Sequence, residues 1–117
     1  MNILVRDIKD EYNDNMAEYI DYVLQDRATP ELRDGLYPVQ RRVLYAGMNM
    51  NAYTLTKTAN LVGSTTQFHP HGDAAITASA YKLSTAHQCK YPLLSYRGNL
   101  GSAIDDTPAQ ARYTSLK

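Results

Sequence analysis

Residues 68–73 read Phe-His-Pro-His-Gly-Asp and stand immediately before a run with helical character, 74–83. This hexapeptide constrains the fold more than any other stretch. Pro70 and Gly72 break whatever precedes them, and Asp73 can cap whatever follows. A helix is therefore expected to begin at this point. The first N–H groups of a helix lack internal partners and carry partial positive charge, so an anion is favoured there, a phosphate above all. His69 and His71 add donors around the same oxygens, and Gly72 lets a ligand approach the backbone closely.

The remaining punctuation divides the chain. Met16, Ile20, Val23 and Leu24 fall on one face of a helix over 15–25. The stretch 27–37 contains Pro30 and Gly35 and reads as an irregular connector. Pro38 suits the first turn of a second helix, with Val39, Val43, Ala46 and Met50 inward and Gln40, Arg41 and Arg42 mainly on other sides. A short third helix is expected over 56–62, ended by Gly63. The fourth follows the histidine motif with Asp73 as N-cap. Beyond Tyr91, the residues Pro92, Gly98, Asn99, Gly101 and Pro108 mark turns between short extended pieces at 92–95 and 111–116. Helices followed by a turn-rich hairpin form an α+β, mainly helical layout, that of a winged helix-turn-helix with a small C-terminal β wing.

Bulk properties narrow the function. A length of 117 residues is one domain or a piece of a larger protein. No apolar run approaches membrane-spanning length, and no basic-then-apolar leader opens the chain. With Cys89 as the single cysteine, no internal disulfide can form. Net charge is zero but unevenly spread: residues 1–26 carry two basic and seven acidic groups, residues 27–117 ten basic and five acidic. An anionic partner on the second part fits this asymmetry, and so does a solvated acidic first helix.

Three groups of residues can do chemistry. Arg112 precedes Tyr113. A phenol is a weak nucleophile near neutral pH, and an adjacent cation both favours phenolate and stabilises charge on a phosphoryl oxygen. Neighbours on a regular strand face opposite ways, so the two groups share one phosphate only where the strand twists or ends, or across a dimer. A packed or solvent-facing tyrosine is the bland alternative among ten tyrosines. His69 and His71 fall short of the three or four ligands of a zinc site, with His87 and Cys89 as the obvious soft partners in reserve. Gln40, Arg41, Arg42 and Lys82 can reach phosphates along a groove edge, or lie solvated.

Four stretches carry a family resemblance: DRATPELRDGLYPVQRRVLYA (26–46), GSTTQFHPHGD (63–73), YPLLSYRGNLGS (91–102) and AQARYTSLK (109–117). Over residues 15–117, in order and spacing, the chain resembles the A subunit of bacterial type IIA DNA topoisomerases, DNA gyrase and topoisomerase IV. The resemblance implies an N-terminal arm at 1–14 and a winged-helix breakage-reunion domain at 15–117. It implies double-strand DNA cleavage and religation through a 5′-phosphotyrosyl intermediate on Tyr113, assisted by Arg112, Arg27 and His71. DNA contacts fall to Gln40, Arg41, Arg42, His69, Gly72 and Lys82. Magnesium and ATP are expected on a B subunit, with no metal site in this chain. The implied assembly holds double-stranded DNA, a second copy of the chain as a homodimer, and the B subunit, together forming a heterotetramer. Its expected place is the cytoplasm of a bacterial or phage-infected cell, with no membrane contact.

The sequence also departs from that pattern. It stops four residues after Tyr113, as a fragment, a truncated product or half of a split protein would, and such a piece is expected to be inactive alone. The loop before the histidines is one residue short. Tyr96-Arg97-Gly98-Asn99 replaces the family's Gly-Gln-Gly-Asn, Ser115 its glutamate and Tyr37 its lysine. Ala74 and Ala78 stand where the family carries the serine and acidic residue that hold quinolones. A non-catalytic DNA-binding module, or a mimic that interferes with a host topoisomerase, is the alternative these changes leave open.

Overall fold

The computed structural model describes residues 5–51, 53–104 and 106–117. Residues 1–4 of the expected arm lie outside these. The chain divides into two compact units, Met1–Pro38 and Val39–Lys117.

In the first unit, helix α1 spans Ile8–Val23 and passes into a π-helical turn, Leu24–Ala28. The helix starts seven residues before the expected position. Asp7 supplies the cap, accepting from the Lys9 N–H at 2.8 Å, and Asp10 and Glu11 place negative charge on the first turn. Arg6 ties that turn down, 2.7 Å from both Glu11 and Asp14. The polar stretch 9–15 has no apolar periodicity, so its helicity rests on caps and charge. No residue of α1 is buried: Met16 and Val23 are half-covered, while Ile20 and Leu24 are exposed. The connector closes on itself, with the Gly35 N–H donating to Glu31 O at 2.8 Å and Gly35 at φ 69°.

The second unit holds the core. Helix α2, Pro38–Asn49, begins at the proline as expected and buries Gln40, Val43 and Ala46. Val39 and Met50 are only half-buried. Strand β1 (Thr56–Lys57), helix α3 (Thr58–Thr65), helix α4 (Asp73–Ser84), strand β2 (Tyr96–Arg97) and strand β3 (Ser115–Leu116) follow. The strands form an antiparallel sheet in the order β1-β3-β2, with Thr56 and Tyr96 both opposite Leu116. Reciprocal bonds between Ser95 and Lys117, 2.8 and 2.9 Å, extend the β2–β3 ladder. Val43, Ala46, Leu61, Ile76, Ala80, Leu83 and Leu116 make the core, each at most 3% exposed.

Further boundaries differ from the sequence reading. Residues 56–57 are strand rather than helix, because Leu116 and Ser115 pair with them. Gly63 lies inside α3, which runs on to Thr65. Gly72 holds the N-cap position of α4 without a side-chain bond, and Asp73 is the first helical residue. Of the extended piece 111–116, only Ser115–Leu116 is strand. Residues 111–113 form a turn closed by the Tyr113 N–H on Gln110 O at 2.9 Å. Among the described residues, four α-helices and a small three-stranded antiparallel sheet make the chain α+β and mainly helical.

Candidate nucleic-acid interface

The end of α3 folds back through hydrogen bonds from the Phe68 and His69 N–H groups to Thr65 O, at 2.9 and 3.0 Å. This bend turns His69 inward, where it is 7% exposed, and leaves His71 and Gly72 at the surface. The two imidazoles stack, with centroids 4.4 Å apart and planes 25° apart. Arg42 of α2 reaches the buried ring, its Nη1 lying 2.6 Å from His69 Nδ1. A guanidinium only donates, so Nδ1 accepts and the proton of neutral His69 sits on Nε2. Arg42, His69 and His71 thus form one continuous set of contacts from helix face to exposed ring. Phe68 meets Tyr45 edge-on at 5.1 Å and closes the other side of the bend.

Along α2 the three polar neighbours separate by depth. Gln40 is buried at 8% exposure, Arg41 is exposed, and Arg42 is half-buried against His69. Lys82 is exposed in the last turn of α4. At the other end of α4, the N-cap is Gly72, which brings no side chain to the first N–H groups; their partial positive charge suits an anion, while the Asp73 carboxylate beside them opposes one.

Tyr113 lies in the turn just before β3. It is 69% exposed, and the Arg112 guanidinium carbon stands 5.9 Å from its ring centroid. The expected difficulty of two strand neighbours facing apart does not arise, because the pair sits in a turn. An open groove of about 430 Å³ lies between α4 and the segment leading into this turn: Asp73, Ala74, Thr77, Ala78 and Tyr81 form one wall, and Pro108 to Ala111 the other. Arg27 belongs to the first unit, exposed in the π-helical turn. Among the described residues, no group of three or more His, Cys, Asp or Glu side chains is placed to hold a metal ion. No helix among them is long and apolar enough to cross a membrane.

Sequence reasoning missed Thr58, Tyr81 and Thr114, three buried residues whose hydroxyls meet behind the tyrosine turn. A hydroxyl reads the same in sequence whether solvated or buried. The only clue was the position of Thr114, next to Tyr113.

A family profile for the A subunit of DNA gyrase/topoisomerase IV matches residues 27–117. The chain is 38% identical over 123 aligned positions to the A subunit of DNA topoisomerase 4 from Staphylococcus aureus strain NCTC 8325 / PS 47, and equally to that of strain COL. Each alignment covers 100% of this chain and 15% of the relative.

Proposed function

The chain belongs to the family formed by the A subunits of DNA gyrase and topoisomerase IV, and from that premise we propose that residues 15–117 are a winged-helix breakage-reunion domain that cuts and reseals duplex DNA through Tyr113. The observation that carries this reading is a tyrosine exposed in a turn with a guanidinium over its ring, where the segment leading into that turn shares a groove with the start of α4.

The chemistry is a transesterification. The Tyr113 oxygen attacks phosphorus and forms an O–P bond, while the bond from phosphorus to the 3′ oxygen breaks. The phenolic proton is given up, and the departing 3′ oxygen takes one. DNA is left joined to Tyr113 at its 5′ phosphate, and attack by the 3′-OH reverses every step. One phosphodiester replaces another, so the exchange needs no net energy input. Arg112 and Arg27 stabilise charge on the phosphoryl oxygens, a role suited to a permanently charged bidentate donor. His71 donates to the same phosphate from the exposed side of the stack. Arg41, Arg42 and Lys82 hold the flanking backbone.

Among its described residues the chain offers no group of three or more His, Cys, Asp or Glu side chains for a metal. In this reading magnesium and ATP belong to the B subunit, while the working unit is two copies of each chain on double-stranded DNA. The chain spans about 15% of the length of the curated relatives it matches. On its own it is expected not to relax supercoiled DNA, which a relaxation assay on purified protein checks directly. Tyr113→Phe separates this reading from a non-catalytic DNA-binding module. With magnesium and B subunit present, it should abolish covalently attached DNA and spare binding. Equal attachment in both proteins contradicts the role of Tyr113.

A further inference from the structure

We propose that Tyr81 of α4 is a positioning residue for Tyr113, acting through Thr114 and Ala109; the inference rests on the reading of Tyr113 as the nucleophile. Thr114 is fully buried, its Oγ1 2.7 Å from Thr58 Oγ1 and 3.0 Å from the Tyr81 hydroxyl. The Tyr81 hydroxyl is also 2.9 Å from Ala109 O. A carbonyl only accepts, so the single Tyr81 proton goes to Ala109. The Tyr81 oxygen must then accept from Thr114, and Thr114 in turn from Thr58. One direction alone satisfies all three contacts: Thr58 to Thr114 to Tyr81 to the Ala109 carbonyl. Such a chain of aligned donors is cooperative, and it loses its order when any one hydroxyl is removed.

A second set of bonds holds the same segment from α3. The first N–H groups of a helix have no partner within it. In α3 these donors are used: the Thr58 N–H donates to Thr114 O at 3.1 Å and the Ala59 N–H to Ala111 O at 3.2 Å. The backbone is thereby tied at Ala109, Ala111 and Thr114, on both sides of Arg112 and Tyr113. Both of those side chains remain exposed. A fixed backbone carrying two exposed reactive groups is what preorganised attack on a phosphate requires.

Amide hydrogen exchange on the 117-residue chain tests the clamp. Tyr81→Phe and Thr114→Val each delete one hydroxyl and keep the shape, whereas Thr114→Ser keeps the hydroxyl. The first two should speed exchange of the Tyr113, Thr58 and Ala59 amides about tenfold, the factor that accompanies loss of about one buried hydrogen bond. The amides of Val43 and Ile76 should hold their rates, and Thr114→Ser should match the wild type. Uniform acceleration across the second unit, or none at Tyr113, overturns the proposal. A second arm adds B subunit, magnesium and duplex DNA. Tyr81→Phe and Thr114→Val should lower Tyr113-linked DNA about tenfold at unchanged DNA affinity, with Thr114→Ser restoring it. Unchanged linkage in those variants also overturns it. Absence of linked DNA from the wild type removes the nucleophile reading and the positioning role with it, while exchange reports on the clamp alone.

Discussion

At the scale of single residues, the site depends on how closely two backbones approach. Gly98, at the end of β2, has φ 113°, and a Cβ there would lie 3.2 Å from Thr114 Cγ2 and 3.3 Å from Thr114 Cα. The threonine cannot yield without disturbing its buried hydroxyl contacts. Gly98→Ala should therefore cost about 1–3 kcal/mol through backbone strain and crowding, measured by urea denaturation. Unchanged stability would show that Thr114 is less tightly held than its contacts indicate. Gly63, which also has the look of a break in sequence, sits in open space within α3, and nothing there demands glycine. His69 and His71 are close neighbours in the motif but different in duty. His69 is buried and accepts from Arg42, while His71 faces solvent.

Among the elements, legibility followed the reach of the signal. Pro38 announced α2 because its fixed φ and missing N–H act locally. The histidine bend announced α4 for the same reason, although Gly72 rather than Asp73 took the cap. Strand β1 was not legible: Thr56 and Lys57 are strand only because Leu116 and Ser115, far along the chain, lie beside them. Helix α1 begins earlier than its apolar spacing indicates, because a cap and charge pairs hold its start. The tyrosine and arginine candidates were legible by type and order, whereas the hydroxyls behind them needed three-dimensional neighbours. Helix α4 also carries a pharmacological expectation. Its exposed face presents the methyl groups of Ala74 and Ala78 to the groove. Neither offers an oxygen to a drug's metal-water bridge, so quinolones should stabilise cleavage complexes of an assembled enzyme only weakly. Strong stimulation of cleavage by ciprofloxacin would contradict this.

For the whole molecule, charge decides the partner more than fold does. The basic excess lies beyond residue 26, and Arg41, Lys82 and Arg112 are exposed members of it in the second unit. If they grip phosphates, DNA affinity must fall steeply with salt, and Arg41→Ala should flatten the log–log slope by about 1. A response independent of salt would remove DNA from the account. The proposed function stands or falls with a covalent bond between Tyr113 and DNA. The most direct measurement mixes the chain with B subunit, magnesium and end-labelled duplex, denatures, digests, and identifies the labelled peptide by mass. A nucleotide adduct is expected on Tyr113, joined through the 5′ phosphate, and none with Tyr113→Phe. An adduct on another residue, or cleaved DNA with no protein attached, would contradict it.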